Sequence, residues 1–207
     1  MSTFTVIGTG NIGSAVAGIA AAAGQDLQVL GRNEEETAAL VEKVGGTAGA
    51  VGDPITGDIV VLAVPYPALS ELAETYGDAL SGKVVVDVSN PVNFETFDEL
   101  VVPADSSAAA ELQELLPDAK IVKAFNTNFA ATLASGTIGD ATTTVMVAGD
   151  DEDAKQALID VVTAGGLQGV NAGSLKRARE MEAFGFLQMV LAGSGNIGWD
   201  GGFAVVK

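Results

Sequence analysis

Phe4-Thr5-Val6-Ile7-Gly8-Thr9-Gly10-Asn11-Ile12-Gly13 opens the chain and decides its fold. A short run of strand-forming residues leads straight into a G-x-G-x-x-G, and the alanine-rich stretch Ser14 to Ala23 that follows reads as a helix. Strand, glycine turn and helix in that order are the context in which the pattern carries meaning. Gly8 permits the tight turn, Gly10 lets the backbone approach a pyrophosphate, and Gly13 lets helix and strand pack closely. The helix start presents free N–H groups and a partial positive charge to an anion. Gly8, Thr9, Gly10, Asn11, Ile12 and Gly13 are therefore the candidates for holding a dinucleotide pyrophosphate. The pattern recurs at Gly193-Ser194-Gly195-Asn196-Ile197-Gly198, but no helix can follow there, so that copy reads as a turn.

The next strand, Leu27-Gln28-Val29-Leu30, ends in Gly31-Arg32-Asn33. An Asp or Glu at that tip would bind a ribose 2′-hydroxyl and repel a 2′-phosphate. Gly31 removes the repulsion, and Arg32, one of three arginines in the chain, offers a guanidinium fork. The expected cofactor is NADP(H) rather than NAD. Asn33 and Glu36 are spaced as a capping box for the helix Glu34 to Val44. The acidic first turn of that helix reads as compensation of its dipole rather than as a site.

Working outward, apolar runs alternate with helix-like runs along the whole chain. Asp58 to Ala63, Lys83 to Asp87, Lys120 to Ala124, Thr143 to Val147 and Gln168 to Asn171 read as further strands. They are apolar without alternation, as expected of strands buried on both faces. The expected fold is α/β, a Rossmann-type doubly wound parallel sheet with a small C-terminal helical lobe. Residues 1–125 would form the dinucleotide-binding core, and residues 126–207 the remaining strands and the lobe packed on it. Asp150-Asp151-Glu152-Asp153 opens a helix through Val162, which Gly165-Gly166 ends, so its charge reads as a helix start rather than a metal cluster. A long helix runs from Leu175 to about Ala192. The stretch from Asn90 to about Ser106 is long enough to be a functional loop.

Composition narrows the chemistry. The 207 residues contain no cysteine and no histidine. Disulfide and thiolate chemistry are thereby excluded, as are a Ser-His-Asp hydrolase and a histidine-assisted dehydrogenase. No metal site is expected. A formal charge of −17 argues against nucleic acid and anionic membranes as partners. The chain begins at once on a strand with no basic leader, and its longest apolar run is too short to span a bilayer, which leads to the expectation of a cytoplasmic protein.

Ligands of a doubly wound sheet bind at the carboxyl ends of its strands. Those ends are Val64-Pro65-Tyr66-Pro67, Val88-Ser89-Asn90-Pro91 and Phe125-Asn126-Thr127-Asn128. Their hydroxyl and amide groups could orient a carboxamide, and proline or Phe could face a flat ring. None carries a strong acid or base. Reducing a ketone needs a proton donor, whereas hydride transfer between NADPH and a flavin-like ring needs mainly stacking and proximity, with the proton from solvent. No residue is therefore assigned a catalytic acid–base role. Lys176, Arg177 and Arg179 could receive an anionic cofactor tail, or could be a solvated helix surface with Glu180 and Glu182 as partners.

These stretches, with Asp87, Val122-Lys123-Ala124, Gly173-Ser174-Leu175 and Ala178-Arg179-Glu180, resemble the coenzyme F420-dependent NADP oxidoreductase family nearly end to end. That family includes the cytoplasmic reductase domain of six-transmembrane metalloreductases. The resemblance implies extended NADPH, a homodimer, and a deazaflavin (coenzyme F420) or a flavin (FMN or FAD) as second substrate. It places Val64, Pro65 and Tyr66, Ser89, Asn90 and Pro91, and Phe125, Asn126 and Thr127 around the nicotinamide end. Ala124, beside Phe125, and Asn33, beside Arg32, are further cofactor-binding candidates. Gly195 to Phe203 would close the pocket of the second ring. Deazaflavin-using members can carry a histidine where Asn126 stands, so the Phe125-Asn126 wording leans towards the flavin branch. No membrane segment follows, which argues against a haem-linked metalloreductase.

Overall fold

In a computed structural model, which describes residues 3–206, one twisted sheet carries the molecule. The strands and helices follow one another as β1 (Thr3–Ile7), α1 (Asn11–Ala22), β2 (Asp26–Gly31), α2 (Glu34–Val44), β3 (Thr47–Ala50) and β4 (Ile59–Leu62). Then come α3 (Leu69–Tyr76), β5 (Val84–Asp87), α4 (Ala108–Leu115), β6 (Lys120–Ala124) and α5 (Ala130–Ser135). The chain continues with β7 (Thr137–Ile138), β8 (Ala141–Thr142), β9 (Thr144–Gly149), α6 (Glu152–Ala164), β10 (Gln168–Gly173) and α7 (Ala178–Gly193). The eight-stranded sheet has the order β10-β9-β6-β5-β4-β1-β2-β3, and β7 pairs with β8 as a separate two-stranded ribbon. The strand order reverses between β1 and β4, the switch point at which doubly wound folds bind ligands.

Neighbouring strand residues go to opposite faces, and both faces are covered. Val6, Val61, Val86 and Val122 pack with Val16 and Ile19 of α1 and Leu158 of α6. Ile7, Val60, Val85 and Ile121 pack with Leu69 and Leu72 of α3 and Leu112 of α4. Two-sided burial is why these strands read as unbroken apolar runs. The expected Rossmann-type α/β fold is the observed one.

Besides the β7–β8 ribbon, two features of the main sheet depart from the sequence reading. The edge strand β3 was not foreseen: Thr47-Ala48-Gly49-Ala50 is short, mostly exposed and without an apolar pattern, and only its pairing with Gln28 to Gly31 makes it a strand. The sheet is also not wholly parallel. β9 runs antiparallel to β6, with Val122 opposite Gly149 and Ala124 opposite Val147. A helix rises about 1.5 Å per residue, so the six residues of α5 cannot return the chain to the far end of the sheet. The chain therefore re-enters the sheet from the end it had just reached. The 13-residue α6 does make the full crossover, and β10 is parallel to β9.

Candidate functional site

The glycine turn joins β1 to α1 at the switch point. Gly8 has φ 116°, and a Cβ there would stand 2.2 Å from the Ala63 carbonyl oxygen; one on Gly13 would stand 2.1 Å from that of Gly8. Both positions are closed to any side chain by close backbone approach. Gly10 differs, because a Cβ built there meets nothing within 4 Å. It forms the N-cap of α1, and no side chain caps the helix, so its first-turn N–H groups face open space. The helix begins at Asn11, within the motif and earlier than its sequence suggests, with Ser14 N donating to Gly10 O at 2.8 Å. Ser14 Oγ also donates to Thr9 O at 3.1 Å and braces the turn.

On one side of this turn lies a cleft of about 380 Å³ that brings together Gly8, Thr9, Gly10, Arg32 and Asn33 with Val64 and Pro65. Gly31 is buried beside it, and a Cβ there would stand 2.1 Å from Thr37 Oγ1 and 2.9 Å from Thr9 Cγ2. Steric closure therefore accounts for the missing acid at the β2 tip. Arg32 is exposed and has no ion-pair partner among the described residues. The Asn33 side chain accepts from Glu35 N at 3.0 Å and Glu36 N at 3.3 Å, capping α2. Glu36 does not complete a capping box; its Oε2 accepts from Thr9 Oγ1 at 3.2 Å, in the wall of the cleft. Glu36 is thus a cleft residue, which the reading of the acidic turn as mere dipole compensation missed.

On the other side lies a larger cleft of about 690 Å³. Asn11 and Ile12 form its near edge, Asn90, Phe125, Asn126 and Asn128 its floor, and Phe129 and Trp199 its mouth. Asn90 and Asn126 lock the tips of β5 and β6 together. Asn90 Nδ2 donates to Asn126 O at 2.9 Å, and Asn126 Nδ2 donates to Asn90 Oδ1 at 2.9 Å and to Met181 O of α7 at 3.0 Å. Helix α7 reaches this pair because its facing residue is Gly185, where a Cβ would stand 2.7 Å from Asn126 O. Phe125 sits at φ 63°, a conformation rare for a bulky residue and costing on the order of 1–3 kcal/mol. Ser89 Oγ, Asn126 Oδ1 and Asn128 Oδ1 are buried without a hydrogen-bond partner. Such groups normally find partners, so unpaired ones beside a cleft suit a polar ligand. The Phe129 and Trp199 rings lie 4.9 Å apart at 53°. The second glycine pattern is a turn, as expected, and delivers Trp199 to this mouth.

Other predicted residues lie elsewhere. Pro91 and Ala124 are buried, Ala124 within the core. Thr127 lines a separate apolar groove with Phe184 and Phe203. Tyr66 is turned towards α4, where its hydroxyl donates to Glu111 Oε2 at 2.5 Å. Burial, with Glu111 beside it, pushes its pKa up to about 12, so the phenol keeps its proton. Arg177 pairs with Glu180 at 3.2 Å, in keeping with a solvated helix surface, and none of Lys176, Arg177 or Arg179 lines either cleft. Glu182 is not one of their partners.

Glu182 belongs instead to a fully buried ion cluster that sequence reasoning missed. Lys123 Nζ lies 2.7 Å from Asp87 Oδ2 and 2.8 Å from Glu182 Oε1, and donates to Ser89 O at 2.6 Å. Glu182 also accepts from Ala108 N and Ala109 N at the start of α4. Burial raises the Glu182 carboxyl above the ordinary range, and Lys123 opposes that shift. One cluster thereby ties β5, β6, α4 and α7 together directly beneath the Ser89-Asn90 tip.

Comparison with known proteins agrees with this fold. Residues 3–91 match the family described as NADP oxidoreductase, coenzyme F420-dependent. The chain is 33% identical over 181 residues to the metalloreductase STEAP3 of Rattus norvegicus, covering 86% of this chain and 35% of that protein. It is 30% identical over 131 residues to the F420-dependent NADP reductase of Methanocaldococcus jannaschii, covering 61% of this chain and 58% of that one. The chain thus spans about a third of the first relative and somewhat over half of the second. Among solved structures, a protein from Arthrobacter sp. FB24 described as an F420-dependent NADP reductase superposes with a TM-score of 0.87 at 23% identity, covering 100% of both chains. By motif, sequence and fold, the chain is similar to the coenzyme F420-dependent NADP oxidoreductase family, whose model matches its residues 3–91.

Proposed function

We propose that this chain transfers hydride between NADPH and a flavin or the deazaflavin coenzyme F420. The observation that carries the reading is the pair of clefts meeting at the start of α1. One holds a cation with no ion-pair partner among the described residues, and the other holds unpaired buried amide oxygens under an aromatic pair. The residues fit an extended dinucleotide. The α1 N-terminus and the open space at Gly10 suit a pyrophosphate, and Arg32 suits a 2′-phosphate. Asn126 and Asn128, which line the larger cleft, suit the polar groups of the nicotinamide half, with buried Ser89 next to Asn90 behind them.

When bound, NADPH supplies the hydride, and the chain's contribution is position. Phe125, held in a strained backbone, and the locked Asn90–Asn126 pair fix the floor on which one ring lies. Phe129 and Trp199 offer faces for the second ring and shield the mouth from water. The chain contains no histidine, and Tyr66 holds its proton against Glu111, so solvent is the proton source in this reading. A homodimer completes it, with exposed Leu187, Phe203 and Val205 as candidate contact residues.

The test is Trp199→Ala. KM for the flavin or deazaflavin should rise about tenfold, within the range of about 1–3 kcal/mol for a lost aromatic stacking contact, while the Kd for NADPH stays unchanged. An unchanged flavin KM would move the second ring out of this cleft.

A further inference from the structure

The acid missing from the β2 tip is not missing from the cleft. Gly31 cannot be replaced by an acid without a Cβ striking Thr37 and Thr9, so any carboxylate near the ribose must arrive from elsewhere. Glu36 arrives from the first turn of α2. It follows Arg32 and Asn33 along the same connection, lines the same cleft, and reaches the glycine turn through Thr9 Oγ1 at 3.2 Å. Arg32 and Glu36 share this wall without pairing with each other, since Arg32 takes part in no ion pair among the described residues. In a doubly wound fold the ribose 2′-oxygen lies at the β2 tip, beside the cleft wall that these two side chains share. A phosphate there is attracted by one and repelled by the other. A free hydroxyl there can donate to the carboxylate, which needs only to exchange its long, exposed bond to Thr9.

We propose that Glu36 is a specificity-determining residue that accepts a hydrogen bond from the ribose 2′-hydroxyl of an unphosphorylated dinucleotide and repels a 2′-phosphate, so that the cleft takes NADH as well as NADPH. The inference rests on the proposed reading of the Arg32 cleft as the adenosine-ribose site. Glu71, the other carboxylate of this cleft, stands on α3 and adds to the repulsion without contacting the glycine turn.

The experiment measures Kd for NADPH and for NADH by nucleotide fluorescence, at low and high salt, with the native chain, Glu36→Gln and Arg32→Ala. Glu36 is exposed and Gln is well tolerated in a helix, so the first variant should fold. Glu36→Gln should tighten NADPH by about threefold to tenfold at low salt, since exposed charge pairs are weak but a phosphate carries nearly two charges. High salt should shrink that gain, and NADH, which the native chain should bind measurably, should weaken through the lost charge-assisted hydrogen bond; no NADH binding by the native chain also overturns the inference. Arg32→Ala should weaken NADPH alone. An unchanged NADPH Kd in Glu36→Gln, or a shift shared equally by NADH, overturns the inference while leaving the site assignment standing. Equal weakening of both nucleotides by Arg32→Ala would instead overturn the site assignment, and the inference with it.

Discussion

Lys123→Met removes the one cation of the buried cluster and leaves Asp87 and Glu182 facing each other without water. All three side chains are essentially inaccessible, at 0%, 0% and 1% exposure, so solvent cannot compensate. Methionine keeps the apolar stem and the volume, and the loss is therefore electrostatic rather than a cavity. Breaking a buried pair in this way costs about 3–5 kcal/mol, a large share of the roughly 5–15 kcal/mol that holds a domain folded. For a chain of this size each kcal/mol moves Tm by about 2–4 °C, so the variant should melt roughly 6–20 °C lower. The effect should also depend on pH. Burial raises Glu182 above its ordinary value of 4.5, so at pH above that value the folded chain holds a proton that the unfolded chain has released. Stability then falls as pH rises through that window. Without Lys123 to oppose the shift, Glu182 is raised further and the window widens upward. The cost of Lys123→Met should accordingly be greatest at neutral pH and smaller near pH 5. Urea denaturation at both pH values measures it, and Lys123→Met/Glu182→Gln should recover part of the loss. A neutral-pH cost below about 1 kcal/mol, or one independent of pH, would refute the reasoning.

Two further outcomes follow from the same geometry. Gly10→Val should abolish binding of NADPH and NADH alike by filling the open space before α1, yet lower stability by only about 1 kcal/mol through a poorer N-cap. Retained binding in titration calorimetry would place the pyrophosphate elsewhere. Tyr66 should ionise near pH 12 by ultraviolet titration, and since a raised phenol favours the protonated folded state, stability should fall as pH rises from 10 towards 12. Glu111→Gln should bring that titration down, and an unshifted midpoint in this variant would disconnect the two residues.

The glycine turn was legible because it is local: a few adjacent residues set its conformation. The strand tips were legible only as positions, since Tyr66 turns to Glu111 and Thr127 lines a separate groove. What escaped depends on contacts distant in sequence. Lys123 interrupts the apolar run Lys120-Ile121-Val122-Lys123-Ala124, and a charge within a doubly buried strand is itself a signal that a partner exists. Its partners stand 36 and 59 positions away, and Glu182 lay among basic residues that offered it a false surface role. Glu36 was masked by Glu34 and Glu35, since three acids at a helix start read as one dipole effect until the fold turns one of them into the cleft. β3 carries no apolar pattern, and its existence is decided by β2. The reversal of β9 was a question of length, six helical residues where a crossover needs more, and strand composition says nothing about direction.

The central claim is hydride exchange with a flavin-like ring. Anaerobic oxidation of NADPH by the purified protein, with coenzyme F420, FMN, FAD and riboflavin offered in parallel, tests it most directly. The account predicts turnover with at least one of these rings. Tight NADPH binding without oxidation by any of them would contradict it.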